Sequence, residues 1–170
     1  MREVAEPAYI LDERTMLENW LDYHRATLAW KCEALTPEQL CERSVPPASM
    51  SLAGLVRHLA EVERGWFRRT LGGEDAPAIY YSDEPGGDPD GDFNGASPDT
   101  VLADIALWRA EIDLARAQAA AHPSLDDTGR KRTGEEVSLR WIYVHMIEEY
   151  ARHNGHADFL RERIDGAVGD

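Results

Sequence analysis

The sequence has 170 residues, 43% of them hydrophobic, which suffices for one core without disulfides. Its 32 acidic and 18 basic residues give a formal charge of -14, which would repel nucleic-acid phosphates and anionic lipid. No apolar run has the length of a signal peptide or a membrane span. We therefore expect one cytoplasmic domain over residues 1–170, with neither nucleic-acid nor membrane partners.

Apolar residues recur at helical spacing in four long segments, and no segment alternates with the period of two that marks a half-buried strand. The first predicted helix runs from about Glu13 to Leu35. The following stretch "LTPEQL" predicts a short helical turn, with Thr36 as its cap and Gln39 completing a capping box.

The second predicted helix begins near Ser51 and ends at the glycine pair 72–73. Residues 72–97 are rich in Gly, Pro and Asp and show no sustained period, which is typical of a long crossing loop. A third helix is predicted over 98–121 and a fourth over about 138–164, with Gly166 as its stop. The sequence thus predicts an all-α fold, a four-helix bundle with a long crossover between the second and third helices.

The last predicted helix carries polar residues on the face that should point into the bundle. At 100° per residue, Glu149 and His153 lie one turn apart beside Met146 and Leu160. An ionised glutamate buried there costs several kcal/mol unless a positive group meets it. We interpret the pair as two ligands of one metal ion, with His58 of the second helix as the third ligand.

Two imidazoles and one carboxylate suit Zn²⁺, which we expect here, with Ni²⁺ or Fe²⁺ as alternatives. Three protein ligands leave a position open for water or substrate, as in reactive metal sites. The competing interpretation is that these histidines, like His24 and His145, are hydrogen-bonded residues of the core or its edge. Gly155 is a second anomaly within this helix, and either close helix packing or a ligand would explain it.

Three alternating aspartates in "DPDGDFNG" invite a calcium interpretation, because an EF-hand loop has this alternation at its start. Phe93 occupies the sixth position, where that loop requires glycine, and no predicted helix directly precedes the motif. The sequence therefore favours a solvated acidic loop for Asp88, Asp90 and Asp92.

Two segments, "SLAGLVRHLAEVERGWF" and "VSLRWIYVHMIEEYARHNGHADFLRERIDG", resemble the signature segments of the DinB/YfiT-like metalloenzyme superfamily. The resemblance covers essentially the whole chain and implies a four-helix bundle whose metal ligands fall on His58, Glu149 and His153. Many members have histidine at the position of Glu149, and a glutamate there is similar to the mycothiol-dependent maleylpyruvate isomerase. That isomerase has an additional C-terminal domain, so the resemblance implies a broader activity, S-transfer with mycothiol or a similar thiol as cosubstrate.

The resemblance and the helix faces together suggest roles for further residues. His156 and His145 are the candidate catalytic residues, facing substrate or acting as a general base. Trp66 and Arg152 are candidate contacts for the thiol, although Arg152 is also placed to pair with a surface acid. Aromatic residues of the crossing loop are candidate walls of the pocket or ordinary packing residues: Tyr80, Tyr81 and Phe93.

Other functions stay open at this level. A hydrolase would use the open metal position for water, and a metal-stabilised bundle would only bind a small molecule or a protein. The expected partners are a small thiol and an electrophilic substrate. We also predict a homodimer, because Trp20, Trp30 and Trp108 flank helices where an apolar interface would form.

Overall fold

The computed structural model describes residues 5–168. Its helices are α1 Glu13–Cys32, α2 Pro37–Leu40, α3 Leu52–Glu63, α4 Gly91–Asn94, α5 Val101–Ala121 and α6 Leu139–Asp165. A π-helical segment, Arg64–Leu71, continues α3, and strands β1 Thr128–Arg130 and β2 Glu136–Ser138 form an antiparallel hairpin. The four long helices pack as a bundle in which α6 contacts α1 and α3, and α5 contacts α3. The predicted all-α bundle with a crossover between its second and third long helices is confirmed.

Local sequence signals place the helix ends. Thr36 and Gln39 form the predicted capping box at the start of α2, with hydrogen bonds of 3.3 and 3.0 Å. The side chains of Ser51 and Ser138 cap α3 and α6. Gly166 ends α6 at a φ of 79°, a left-handed conformation that glycine adopts without steric cost.

The predicted apolar faces form the core. Burial of these side chains removes apolar surface from water at roughly 25 cal/mol per Å², which is the main force holding the helices together. Apolar residues of these helices that are fully or almost fully buried include Leu21, Leu28, Leu52, Leu55, Leu59, Ile142, Met146, Ala157 and Leu160.

The bounds or types of several elements differ from the prediction, including the π-helical end of the second predicted helix and the short helix α4 within the predicted loop. The first helix ends at Cys32 rather than Leu35, because the chain turns at Ala34, which has a φ of 60°. The third long helix begins at Val101, three residues after Pro98. The hairpin was not predicted, since strands of three residues are too short to show a period of two.

A buried polar network joins all four long helices. Arg25 of α1 donates two hydrogen bonds of 2.7 Å to the two carboxylate oxygens of Glu63 on α3, which has no solvent exposure. The hydroxyl of Tyr150 on α6 donates to Glu63 at 2.8 Å and accepts from the indole of Trp108 on α5 at 2.9 Å. Trp108 is therefore a core residue, and its prediction as part of an exposed dimer interface was wrong. The homodimer itself stays a prediction.

Gly155 has open space where a side chain would begin. A Cβ atom built there meets nothing within 4 Å, so close packing of a neighbouring helix does not explain this glycine. The residue lies beside a groove between α1 and α6. Across residues 5–168, no helix is long and apolar enough to cross a membrane.

Candidate metal centre

Two neighbouring helices bring three predicted ligands together. Successive turns of α6 present Glu149 and His153, with 3.5 Å between Glu149 Oε2 and His153 Nε2. His58 comes from α3, and its Nε2 lies 3.9 Å from the same carboxylate oxygen. One donor atom from each residue lies within 4.8 Å of the other two, as the ligands of one ion do. The helical spacing of Glu149 and His153 and the packing of α3 on α6 together create this cluster.

Asp92 holds the imidazole of His58 in place, and the sequence did not predict this role. Its Oδ2 lies 2.8 Å from His58 Nδ1, and the carboxylate is buried. The ring of Phe93 stacks on the His58 ring, with centroids 5.0 Å apart. A carboxylate at Nδ1 favours the tautomer that carries its proton there, which leaves a lone pair on Nε2 facing Glu149.

Arg57 fixes the short helix α4, which carries Asp92, against α3. Its guanidinium donates to the backbone oxygens of Asp92 and Gly91 at 2.8 and 3.0 Å. Gly91 allows two parts of the crossing loop to pack closely. A Cβ at this position would lie 2.3 Å from the backbone oxygen of Tyr80. The crossing loop is thus anchored at the metal centre.

The aspartates of the acidic motif "DPDGDFNG" have different environments. Asp92 is a buried partner of His58, so the prediction of a solvated position was wrong for this residue. Asp88 accepts hydrogen bonds from the backbone of Asp90 and the side chain of Asn94. These aspartates serve different partners, and among residues 5–168 they do not form a common group of cation ligands.

Burial sets the protonation of His153. His153 is 8% exposed, and desolvation by burial, which disfavours the charged imidazole, is the largest cause that lowers its pKa from 6.5 to about 4. The ring is therefore neutral near pH 7, which is the form that binds a metal.

We expect acid to destabilise the metal-free protein partly through His153. The unfolded imidazole has a pKa near 6.5 and the folded one a pKa of about 4, so the unfolded state binds more protons between these values. Above about pH 6.5 the imidazole is neutral in both states, and the free energy of unfolding keeps its full value. As the pH falls toward about 4, this free energy decreases by on the order of 3 kcal/mol. Urea unfolding across this range should show a weaker pH dependence for His153→Gln. An identical dependence in both proteins would contradict the prediction.

The two candidate catalytic histidines, His145 and His156, lie before and after the pair Glu149 and His153 along α6. His145 is one turn before Glu149, with 3.5 Å between its Nε2 and Glu149 Oε1. Its ring packs between two indoles, with centroids 4.6 Å from Trp66 and 4.9 Å from Trp141. The Nδ1 atom of His156 lies 3.3 Å from Nδ1 of His153. Both histidines therefore contact a candidate ligand, and their catalytic roles stay predictions.

Arg152 lies on the outer surface of α6. Its guanidinium pairs with the carboxylate of Glu148, and its side chain is 60% exposed. This is the surface ion pair that the sequence offered as an alternative to substrate binding. Glu148 also belongs, with His145 and Glu149, to a second group whose donor atoms lie within 4.8 Å of one another.

A pocket of about 480 Å³ adjoins the centre at His58. Its lining includes Trp66, Tyr81 and Phe93, as the aromatic pattern predicted. Tyr80 does not line it, because its hydroxyl donates to Asp104 at 2.9 Å and its ring packs under a guanidinium, which makes it a packing residue. The pocket gives a small molecule access to the three candidate ligands from the side of His58.

The donor set fits a divalent cation. A carboxylate oxygen faces the Nε2 atoms of two imidazoles, and Asp92 leaves the nitrogen of His58 as an acceptor. Acceptors that face one another at these distances are stabilised by a positive ion between them. Two imidazoles, one carboxylate and a carboxylate behind a ligand histidine form the pattern of catalytic zinc sites.

A comparison with known families covers most of the chain. The family model described as Mycothiol-S-transferase matches residues 16–166, which include all three candidate ligands and almost the entire bundle. No curated protein sequence matches the chain. The chain belongs to the mycothiol-S-transferase family, within the DinB/YfiT-like superfamily.

Proposed function

We propose that the protein joins mycothiol, or a similar small thiol, through its sulfur to an electrophilic carbon of a second substrate, using a divalent metal held by His58, Glu149 and His153. The observation that supports this most directly is the convergence of three donor atoms within 4.8 Å beside the 480 Å³ pocket. The family match supplies the thiol as the cosubstrate class. Zn²⁺ is the ion that we propose first, with Ni²⁺ and Fe²⁺ as alternatives.

The bound ion would lower the pKa of a thiol, so that the thiolate, the nucleophilic form, is present near neutral pH. The protein holds its own ligands ready for this task. Burial keeps His153 neutral, and Asp92 directs the free nitrogen of His58 toward Glu149. The ligand geometry therefore needs little reorganisation when the cation binds.

Proton transfer is assigned to the histidines beside the ligands. We propose that His145 or His156 accepts the thiol proton, after which the sulfur forms a bond to an electrophilic carbon and the leaving group departs with the electron pair of its bond. The indoles of Trp66 and Trp141 fix the orientation of the His145 ring. A fixed ring loses less entropy when it acts as a base.

Turnover by the zinc-loaded protein tests the proposal. We expect S-transfer from mycothiol to a chloronitrobenzene, loss of this activity after chelation, and recovery when Zn²⁺ is returned. His153→Ala should remain inactive after the same treatment, whereas His24→Ala should respond like the wild type. Hydrolysis of nitrophenyl esters without any thiol would support the hydrolase instead, and inactivity in both assays would support a binding bundle.

A further inference from the structure

The pocket beside the candidate metal centre has an acidic and a basic residue in its lining, each with one buried polar atom that has no hydrogen-bond partner among residues 5–168. Glu61 lies in α3 and Arg69 lies two turns later in the π-helical segment, and both line the pocket. π-Helical turns within α-helices occur frequently at functional sites. Neither residue is needed to hold the metal, so their positions call for a separate explanation.

Only one oxygen of Glu61 has a structural partner. The residue is 6% exposed, and its Oε1 accepts hydrogen bonds from the backbone nitrogens of Ile79 and Tyr80, the latter at 2.7 Å. Its Oε2 is buried and has no hydrogen-bond partner among residues 5–168. An unsatisfied charged acceptor costs more than the roughly 1–3 kcal/mol of a neutral one. The hydrogen-bonding capacity of Oε2 is thus unused by the described part of the protein, although Glu61 lines the pocket.

Arg69 has the complementary arrangement. Its Nε donates to the backbone oxygen of Ala76 at 2.9 Å, which fixes the guanidinium. Its Nη2 is buried and lacks an acceptor within the described part of the chain. The lining therefore offers one unused acceptor and one unused donor.

The rest of the lining carries side chains of both charge signs and one large aromatic face. The hairpin turn brings Lys131 and Thr133 to the pocket, whereas Asp83 comes from the crossing loop. Gly129 lets this hairpin pack closely on the π-helical segment, because a Cβ there would lie 2.2 Å from the backbone oxygen of Thr70. Trp66 contributes an aromatic face, on which the C–H surface of a sugar ring packs favourably.

We infer that Glu61 and Arg69 bind the polyhydroxylated part of the thiol cosubstrate, an inference that rests on the proposed function. A hydroxyl group donates and accepts, so neighbouring hydroxyls satisfy Glu61 Oε2 and Arg69 Nη2 together. An anionic group would be repelled by Glu61 and a cationic group by Arg69, while an apolar group would leave both unpaired. These two residues would then distinguish mycothiol from a simple cysteine derivative.

Binding of two thiols to the zinc-loaded protein tests this assignment. Mycothiol carries an acetylated cysteine on a sugar and a cyclitol, and N-acetylcysteine lacks that polyhydroxylated part. In calorimetric titrations, Glu61→Gln should raise the Kd of mycothiol by about tenfold or more and leave that of N-acetylcysteine unchanged. Glutamine keeps an oxygen for the two backbone nitrogens and places a donor where the pocket requires an acceptor. Arg69→Lys should have the same selective effect.

Glu74→Gln is the matched control, because Glu74 pairs with Arg68 and Gln118 and does not line the pocket. It should leave both affinities and the metal content unchanged. Equal weakening of both thiols by Glu61→Gln, or a wild type that binds mycothiol no more tightly than N-acetylcysteine, would overturn the inference. Selective mycothiol binding without S-transfer would refute the proposed activity and leave this assignment intact.

Discussion

Alanine in place of His58, Glu149 or His153 is expected to abolish stoichiometric binding of a divalent metal. Each residue supplies one of three protein donors, and two remaining donors are too few for a tight site. Metal analysis of the purified variants, after dialysis against buffer without metal, measures the effect. Acidification should release metal from the wild type as well, because protons compete for the same imidazoles.

Two further variants should weaken metal binding less than the alanine variants or leave it unchanged. Asp92→Asn keeps all three ligands and removes the charge behind His58, so affinity should fall by about 10–100-fold rather than vanish. His24→Ala should retain the metal, because His24 lies on α1 beside Asn154 and belongs to no candidate ligand group within residues 5–168. Full metal content in the three ligand variants, or its loss in His24→Ala, would show that the ligands are wrongly assigned.

Chelation should lower the melting temperature of the wild type without abolishing its helical circular dichroism signal. A bound ion stabilises the folded state by mass action and connects α3 to α6. The apolar core between the helices does not depend on the ion. An unchanged melting temperature after verified metal removal would mean that the ion contributes little to the fold.

Breaking the Arg25–Glu63 pair should cause the largest loss of stability. Both residues are buried, and Arg25→Met leaves the Glu63 carboxylate without a positive partner and without solvent, with only the hydroxyl of Tyr150 still donating to it. The expected cost is about 3–5 kcal/mol of unfolding free energy. Urea unfolding followed by far-UV circular dichroism measures it, provided that both transitions are two-state.

Two controls test whether the loss of stability comes from burial of the charge rather than from loss of an ion pair in general. Arg130→Ala removes the exposed ion pair with Glu136 and should change stability by less than about 1 kcal/mol. Replacing both partners, as Arg25→Met with Glu63→Leu, should recover part of the loss, since no lone buried charge remains. A cost for Arg25→Met no larger than that for Arg130→Ala would contradict the role of the network.

Local patterns in the sequence determined the helices and part of the candidate metal centre. The period of apolar residues and the capping residues Thr36 and Gly166 act over a few positions, so they can be interpreted without knowing the fold. The same is true of Glu149 and His153, because a spacing of four residues on one helix fixes their proximity. His58 could be proposed as their partner because it borders the apolar stripe formed by Leu55, Leu59 and Val62.

Only the tertiary structure decided the remaining contacts. Asp92 meets His58 across 34 residues, and Arg25 meets Glu63 across 38, so their proximity depends on how a loop crosses and how helices pack. In the sequence, Asp92 is one of several acids in a polar loop and Arg25 is one charge on an amphipathic helix. Burial gives these charges their importance, because a lone charge is solvated by water at low cost and requires a partner once water is excluded. The helices and the candidate ligand pair are therefore local properties of the sequence, whereas the support of the site and the lining of its pocket arise from packing.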